Sequence, residues 1–441
     1  MVSSISKNKI FKTADIADLL VAPGAKVHII NLGCARNTVD SQHILAALEG
    51  QGSRSVGLNK ADTVILNTCA FIADAKQESV DTILDVLDLK KKGKIKQIIV
   101  AGCLSERYGK ELLAELKGVD AFVGVAPLVQ AGVLPARPLG HEHFTYVKIC
   151  ESCYNQCSFC AIPLIKGRFV SRRIESVLAE VQSLDQRKVK EINLIGQDIT
   201  AYGMDLYHKQ ALDRLLREII RGTKNIEWIR MLYAFPGHIT DDLIEIIAEQ
   251  PRICKYLDIP LQHISDRILK SMKRKLNSAQ TRELLSRIRK KLPAAALRTT
   301  FIVGFPGETE RDFKELLDFV EEMRFERMGV FMYSREEGTP AHDFKPQIPK
   351  SIKQERYDRL LQLQQKISRE LQAQYIGKTL KVLIDEKDKS SDNIYVGRSE
   401  YDAPEVDGNV FVHAARRFHA GEFVSARITE SQEYDLVATA L

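Results

Sequence analysis

The sequence predicts an α/β chain in three units: an N-terminal parallel sheet flanked by helices, a larger run of βα units, and a small C-terminal antiparallel β-barrel. Three observations carry this expectation. Short β-rich apolar runs alternate with amphipathic helical runs from residue 26 to about residue 371, the pattern of parallel sheets covered by helices. After Gly377 the alternation stops and short strands follow one another directly. The 441 residues suffice for two or three domains, each with its own core.

The first unit is read at residues 26–134, behind an extension of residues 1–25. Its strands are expected at 26–32, 62–67 and 97–101, each leading into a helix, the first of these running through Ile44, Leu45 and Leu48. A cysteine stands at each strand-to-helix junction: Cys34, Cys69 and Cys103, spaced 35 and then 34 residues. Ligands of open parallel sheets lie beyond the carboxyl ends of the strands, so the three thiols are expected in one crevice. Such a flavodoxin-like architecture also admits a flavin or nucleotide, although no G-x-G-x-x-G run follows the first strand.

The second unit is read at residues 135–372. Strands are expected at 144–149, 191–195, 226–231, 256–259, 297–303 and 327–331, with helices between them such as 211–220 and 312–323. That makes about six βα units, fewer than the eight of a closed barrel, with chemistry expected at the strands' carboxyl ends. Directly after the first strand comes Cys153-Tyr154-Asn155-Gln156-Cys157-Ser158-Phe159-Cys160, a C-x3-C-x2-C run. Three thiolates from one short loop suit a 4Fe-4S cube that keeps one iron open for chemistry. Zinc is the competing ligand, because Cys150 adds a fourth thiol three residues earlier. As the end of an apolar run, Cys150 also reads as a buried inert thiol, and Cys254 is a lone thiol without a role.

The helix expected at residues 351–372 leads to the third unit, residues 376–441, with strands at 379–384, 394–398, 409–412, 423–428 and 434–438. This unit holds eight Lys and Arg against twelve Asp and Glu, a net of −4 in a chain of +6. Nucleic-acid binding draws on Lys and Arg contacts to phosphate, so an acidic module suits a basic protein better than RNA. The first 25 residues show no apolar signal-peptide core, and no membrane span is indicated; eight cysteines without an oxidising context point to metal chemistry in the cytoplasm.

The cysteine loop, with Phe159 before its last cysteine, resembles the radical S-adenosylmethionine (SAM) superfamily. Together with residues 31–37, 67–72 and 101–104 around the other triad, the chain resembles the methylthiotransferase family within it, over most of its length. The run 331–341 and the run 397–408 resemble the ribosomal-protein branch more than the tRNA-adenosine branch. One difference is that the family usually reads Ser-Glu-Gly-Cys where this chain has Cys150-Glu151-Ser152-Cys153.

The resemblance implies a partial, open TIM-like (βα)6 barrel and a C-terminal TRAM domain. It implies two 4Fe-4S clusters, one on Cys34, Cys69 and Cys103 and one on Cys153, Cys157 and Cys160. The second would bind SAM at its open iron and, once reduced, cleave it to a 5′-deoxyadenosyl radical; the first would deliver sulfur. The implied substrate is an aspartate β-carbon of small-subunit ribosomal protein uS12, with an electron donor such as flavodoxin or ferredoxin. A tRNA adenosine and a non-catalytic iron-sulfur carrier remain as alternatives. Phe159, Arg172, Gln197 and Gly304 are the expected SAM contacts. Lys166, Arg168 and Arg173 are further basic candidates for the SAM carboxylate, and His263 is a possible proton carrier. The stretch 300–309 around Gly304 also reads as a plain turn with Thr309 capping the next helix.

Overall fold

The computed structural model describes residues 9–11, 21–125 and 142–441. The expected boundary at residues 134 and 135, and most of the extension 1–25, lie outside them. The first sheet has six parallel strands: β1 (Lys9–Phe11), β2 (Lys26–Asn31), β3 (Arg54–Ser55), β4 (Thr63–Thr68), β5 (Gln97–Gly102) and β6 (Ala121–Val123), in the order β1-β6-β5-β4-β2-β3. Every residue of β4 is buried, as a central strand with both faces covered requires. The three shortest strands, β1, β3 and β6, escape the sequence reading because two or three residues are too few to show a period. Helices α1 (Ala35–Gly50), α2 (Ala73–Lys91) and α3 (Cys103–Glu115) follow β2, β4 and β5.

In the second unit the strands β7 (Phe144–Lys148), β8 (Cys150–Glu151) and β9 (Val170–Ser171) flank the cysteine loop and α4 (Ile162–Lys166). The βα alternation then runs α5 (Ile174–Gln186), β10 (Glu191–Ile195), α6 (Leu212–Gly222), β11 (Trp228–Met231), α7 (Asp241–Glu249), β12 (Tyr256–Asp258), α8 (Asp266–Ser271), α9 (Ser278–Lys291), β13 (Ala296–Val303), α10 (Glu310–Met323), β14 (Arg327–Met332) and α11 (Lys350–Ala373). Two parallel three-stranded sheets, β11-β10-β7 and β12-β13-β14, meet through a parallel bridge between Ile229 and Ile253. The result is a six-stranded open arc. Helix α6 buries Leu212, Leu215, Leu216 and Ile219, the 3.6-residue stripe of a helix laid on a sheet. Thr309 caps α10 in a reciprocal box with Asp312, as the turn reading of residues 300–309 requires.

The third unit is a closed barrel of β15 (Thr379–Lys387), β16 (Ile394–Ser399), β17 (Val410–His413), β18 (Phe423–Ser431) and β19 (Leu436–Ala440), in the order β15-β16-β17-β19-β18. One pair, β17 with β19, is parallel. An odd number of strands cannot alternate direction all the way round a ring, so a purely antiparallel closure was not available.

The run 397–408 inserts into the floor of the open arc. Arg398 bonds Glu191 at 2.7 Å, Arg230 bonds Glu191 at 2.9 Å, Asp402 pairs with Arg327, and Asp407 accepts from Tyr256 at 2.6 Å and lies 3.5 Å from Arg298. Glu191 and Arg230 are fully buried. This corrects the charge argument made from composition. Asp402 and Asp407, two of the acidic residues behind the net of −4 in residues 376–441, face Arg327 and Arg298 of the arc rather than a partner, while Asp385 is held by Arg398 of the barrel itself and by His143.

Candidate functional site

Both cysteine triads lie at the carboxyl ends of their sheets and face the same region. Gly33, with φ +98, turns the chain just before Cys34; a Cβ there would stand 2.9 Å from the Cβ of Cys69. Gly102, with φ +94, does the same before Cys103 against the backbone of Thr68. These are backbone conformations that suit glycine. Asn37 donates to the carbonyls of Leu32 and Thr68, Asn67 returns a bond to the carbonyl of Asn37, and the Thr68 hydroxyl donates to the carbonyl of Ala101 at 2.6 Å, so the three junctions are tied together. Cys69 is set apart, followed by a loop of three residues before α2 and anchored through Ser79 at 3.1 Å and 2.9 Å.

The cysteine loop is fastened to the end of α8: Ser158 donates to the carbonyls of Met272 and Ser271. Two donors reach its sulfurs. Asn155 approaches the Sγ of Cys153 with its backbone N–H at 3.4 Å and its amide at 3.6 Å, and Arg274 approaches the Sγ of Cys157 at 3.5 Å. Asn155 is oriented by Asp198 at 2.8 Å, which also takes His238 at 2.8 Å, and Lys275 closes the series on His238. Arg274 stacks 4.2 Å over the ring of Phe235.

Burial pushes the Cys153 thiol up to about 11 and those of Cys160 and Cys103 up to about 12. Cys69 is raised by burial as well. Cys34 differs: burial works to raise it, but the Arg36 charge and the amides of Asn37 and Arg36 outweigh burial and leave its pKa below the usual value. The Arg36 charge acts on Cys160 too, so the two triads are near enough to share one cation.

The donor set fits an iron-sulfur group: three soft donors per triad, with N–H groups aimed at sulfur around one and positive charge from Arg36 and Lys166 around the other. Among the described residues, no three His, Cys, Asp or Glu side chains converge as one metal ion would need. Cys150 is turned away: its thiol meets the carbonyl of Asp198 at 3.6 Å and lies where a Cβ on Gly196 would stand. Burial raises its pKa far up, as for the inert thiol read from the sequence. Ser152, where the family usually has glycine, holds φ 64 and donates to the carbonyl of Gly167 at 2.6 Å.

A cavity of about 160 Å³ borders both cysteine loops, lined by Phe159, beside Cys160, with Gln262, Thr300 and Ile302, and by Phe71 and Ile72, just after Cys69. The Oε1 of Gln262 is buried there without a partner among the described residues, and its backbone is held at φ 76. Gln197 sits beside the loop, donating to Glu151 at 2.8 Å, with its own Oε1 buried and unpartnered among the described residues.

Two expected SAM contacts are corrected. Arg172 is buried, and its two terminal nitrogens are taken by the carbonyl of Lys148, by Glu180 at 2.5 Å and by Ser176, so its fork holds β9 to α5, with Nε alone lacking a partner among the described residues. Gly304 does not line the cavity: its N–H goes to Glu308 at 2.9 Å, and the space beside its Cα is filled by Lys353. Lys166 lies in a buried quartet with Asp40, Lys148 and Glu151, while Arg168 and Arg173 are exposed. His263 accepts from the N–H of Ser265 and lies 3.5 Å from Glu308, a structural setting. Arg36, Tyr233, Asn155 and Arg274 were missed as site residues, whereas Gln262 lies in the stretch 258–263 that resembles a family segment lining the SAM pocket. The positive φ of Tyr233 and Gln262 marks strained positions that no sequence pattern reveals.

An open arc of βα units carrying a three-cysteine loop after its first strand is the architecture of a radical SAM enzyme, and comparison with known proteins agrees. Residues 147–320 match the radical SAM superfamily, residues 26–124 the uncharacterized protein family UPF0004, and residues 376–441 the TRAM domain. The structure resembles TsrM of Kitasatospora setae, a radical SAM methyltransferase, with a TM-score of 0.50 at 15% identity over 73% of this chain and 74% of that one. In sequence, the ribosomal protein uS12 methylthiotransferase RimO of Thermoanaerobacter sp. (strain X514) is 46% identical, over 93% of this chain and 99% of the relative. RimO of Clostridioides difficile (strain 630) is 42% identical over 94% and 99%. The chain belongs to the RimO family of radical SAM methylthiotransferases.

Proposed function

We propose that this enzyme methylthiolates small-subunit ribosomal protein uS12 in the cytoplasm, at the β-carbon of an aspartate, using SAM and two 4Fe-4S clusters. The observation that carries the reading is the pair of cysteine triads at the strands' carboxyl ends, with one cavity lined by residues from the loops of Cys69 and Cys160. Cys153, Cys157 and Cys160 would hold the SAM-binding cluster, and Cys34, Cys69 and Cys103 the other. When bound, these groups supply the radical that removes hydrogen from an unactivated C–H and the sulfur that replaces it, chemistry beyond any protein side chain. An external reductant such as flavodoxin or ferredoxin would supply the electron.

The chain's own residues position and enclose. Phe159 and Ile302 make an apolar wall that excludes water, and the free Oε1 of Gln262 offers an acceptor to a ligand N–H or O–H. Asn155 and Arg274 direct hydrogen bonds at two of the three sulfurs, which stabilises negative charge on them. Ser158 locks the loop so that the three thiols keep their mutual positions. Among the described residues, no helix is long and apolar enough to cross a membrane.

The test is anaerobic incubation of the reconstituted, reduced enzyme with SAM and a sulfur source, separately with uS12 and with tRNA. One methylthio group on uS12, seen by mass, is the expected result. Modification of tRNA alone would overturn the substrate; failure to cleave SAM would overturn the reaction.

A further inference from the structure

We infer that Arg36 is a positioning residue that holds a fixed positive charge between the two cysteine triads and so makes the first centre easier to reduce. The inference rests on the reading that Cys34, Cys69 and Cys103 hold a cluster.

Arg36 follows Cys34 by two residues in the first turn of α1, yet its side chain reaches the other domain. Its Nη1 donates to the carbonyl of Gly196 at 3.0 Å, and its guanidinium lies 4.6 Å from the ring centre of Tyr233. Cation–π contact, the carbonyl bond and a hydrogen bond toward Cys34 hold the group in place without an ion pair. Among the described residues no carboxylate forms an ion pair with Arg36, whose contacts are the Gly196 carbonyl, the Tyr233 ring and Cys34. Lys166, the other cation near this triad, is matched by Asp40 and Glu151. The Glu151 charge also reaches Arg36, but Glu151 is paired with Lys148 at 2.7 Å and lies 3.5 Å from Lys166, so Arg36 adds a positive charge that no ion pair neutralises. It acts on Cys34 and Cys69 of one triad and Cys160 of the other.

The prop beneath it is unusual. Tyr233 is held at φ 68, a left-handed conformation that costs an L-residue about 1–2 kcal/mol. Such strain persists only where the surroundings over-determine it. Here the N–H of Tyr233 donates to Asp258 at 3.0 Å, Asp258 accepts from Arg298 at 3.1 Å, and Arg298 lies 3.5 Å from Asp407 of the C-terminal barrel. A continuous series of contacts thus runs up the inside of the arc from the third domain to the first triad. The potential of an iron-sulfur centre follows its net charge, its hydrogen bonds and its exposure. A nearby cation that no ion pair neutralises favours the more negative, reduced state.

The test uses the full chain with Cys153, Cys157 and Cys160 all changed to Ala, so that one triad remains. It is reconstituted anaerobically, assayed for iron and sulfide, and titrated by EPR-monitored reduction. Failure of this parent to take up a cluster would overturn the ligand reading itself. With the cluster present, Arg36→Gln is expected to be reduced only at lower potential than the parent at equal iron content, and Arg36→Lys at a value between the two. Tyr233→Leu, which keeps every charge, is expected to shift the potential in the same direction. An Arg36→Gln midpoint equal to the parent's would overturn the inference, and so would Arg36→Lys as low as Arg36→Gln. A glutamine variant that loses iron leaves the lysine variant to decide, by a midpoint below the parent's or equal to it.

Discussion

Ser152 shows how a single residue beside the cysteine loop balances two opposed effects. Its φ of 64 is a conformation that glycine adopts freely, and its hydroxyl recovers part of the strain through the 2.6 Å bond to Gly167. Ser152→Ala keeps the strain and loses the bond, so a loss of about 1 kcal/mol is expected. Ser152→Gly loses the bond but relieves about 1–2 kcal/mol of strain, so it is expected to lie within about 1 kcal/mol of the parent. Chemical denaturation of the two variants checks the order; an alanine variant as stable as the glycine variant would show that strain is not stored there.

At the scale of elements, the loop carrying Cys69 is latched to the end of β14. Glu336 accepts from Lys76 at 2.9 Å, from Arg107 at 2.6 Å and from Ser334 at 2.7 Å, while Arg107 also donates to the carbonyls of Ala70 and Glu337. This latch keeps Phe71 and Ile72 over the cavity. Burial works to raise the Glu336 carboxyl, and the bonds from Lys76, Ser334 and Arg107 outweigh it, leaving the pKa below the ordinary value. A carboxylate with a lowered folded pKa stabilises the fold above its unfolded value of about 4.3, and that contribution fades as pH falls through the folded value. Glu336→Gln is expected to cost about 1–3 kcal/mol at pH 7, and the difference from the parent should shrink below about pH 4. Thermal unfolding from pH 7 downward measures this; a difference independent of pH would exclude the charge as its source.

For the whole molecule, the C-terminal barrel serves as the floor of the central domain as well as a separate fold. Removing residues 376–441 would uncover the buried Arg230, Arg327 and Glu191 and leave Arg298 without Asp407. Breaking one buried pair already costs about 3–5 kcal/mol. The truncated chain is therefore expected to be insoluble or unfolded instead of an active core lacking a substrate module. Asp402→Ala should lower stability by a comparable few kcal/mol through Arg327 alone. A soluble, cooperatively melting truncation would overturn this account.

The strands and helices that hold the site could be read from periodicity because each buries a face and so repeats its pattern locally. Residues 191–195 coincide with β10, and α11 differs from the expected 351–372 by one residue at each end. The places of both cysteine triads beside strand ends and the count of about six βα units were legible for the same reason, while the open barrel was implied by the resemblance to the radical SAM superfamily. What the sequence could not determine is set by contacts between residues far apart in the chain. Arg172 and Gly304 had the right types for a SAM site, but Glu180 and Lys353 occupy them from other elements. Arg36 looked like one basic residue after a cysteine, and only the tertiary structure puts it on Tyr233, between the triads. The acidic excess of the last domain was real as a count, yet the arc's arginines face part of it. Composition records charge, whereas folding decides which charges meet and which remain to act on a ligand.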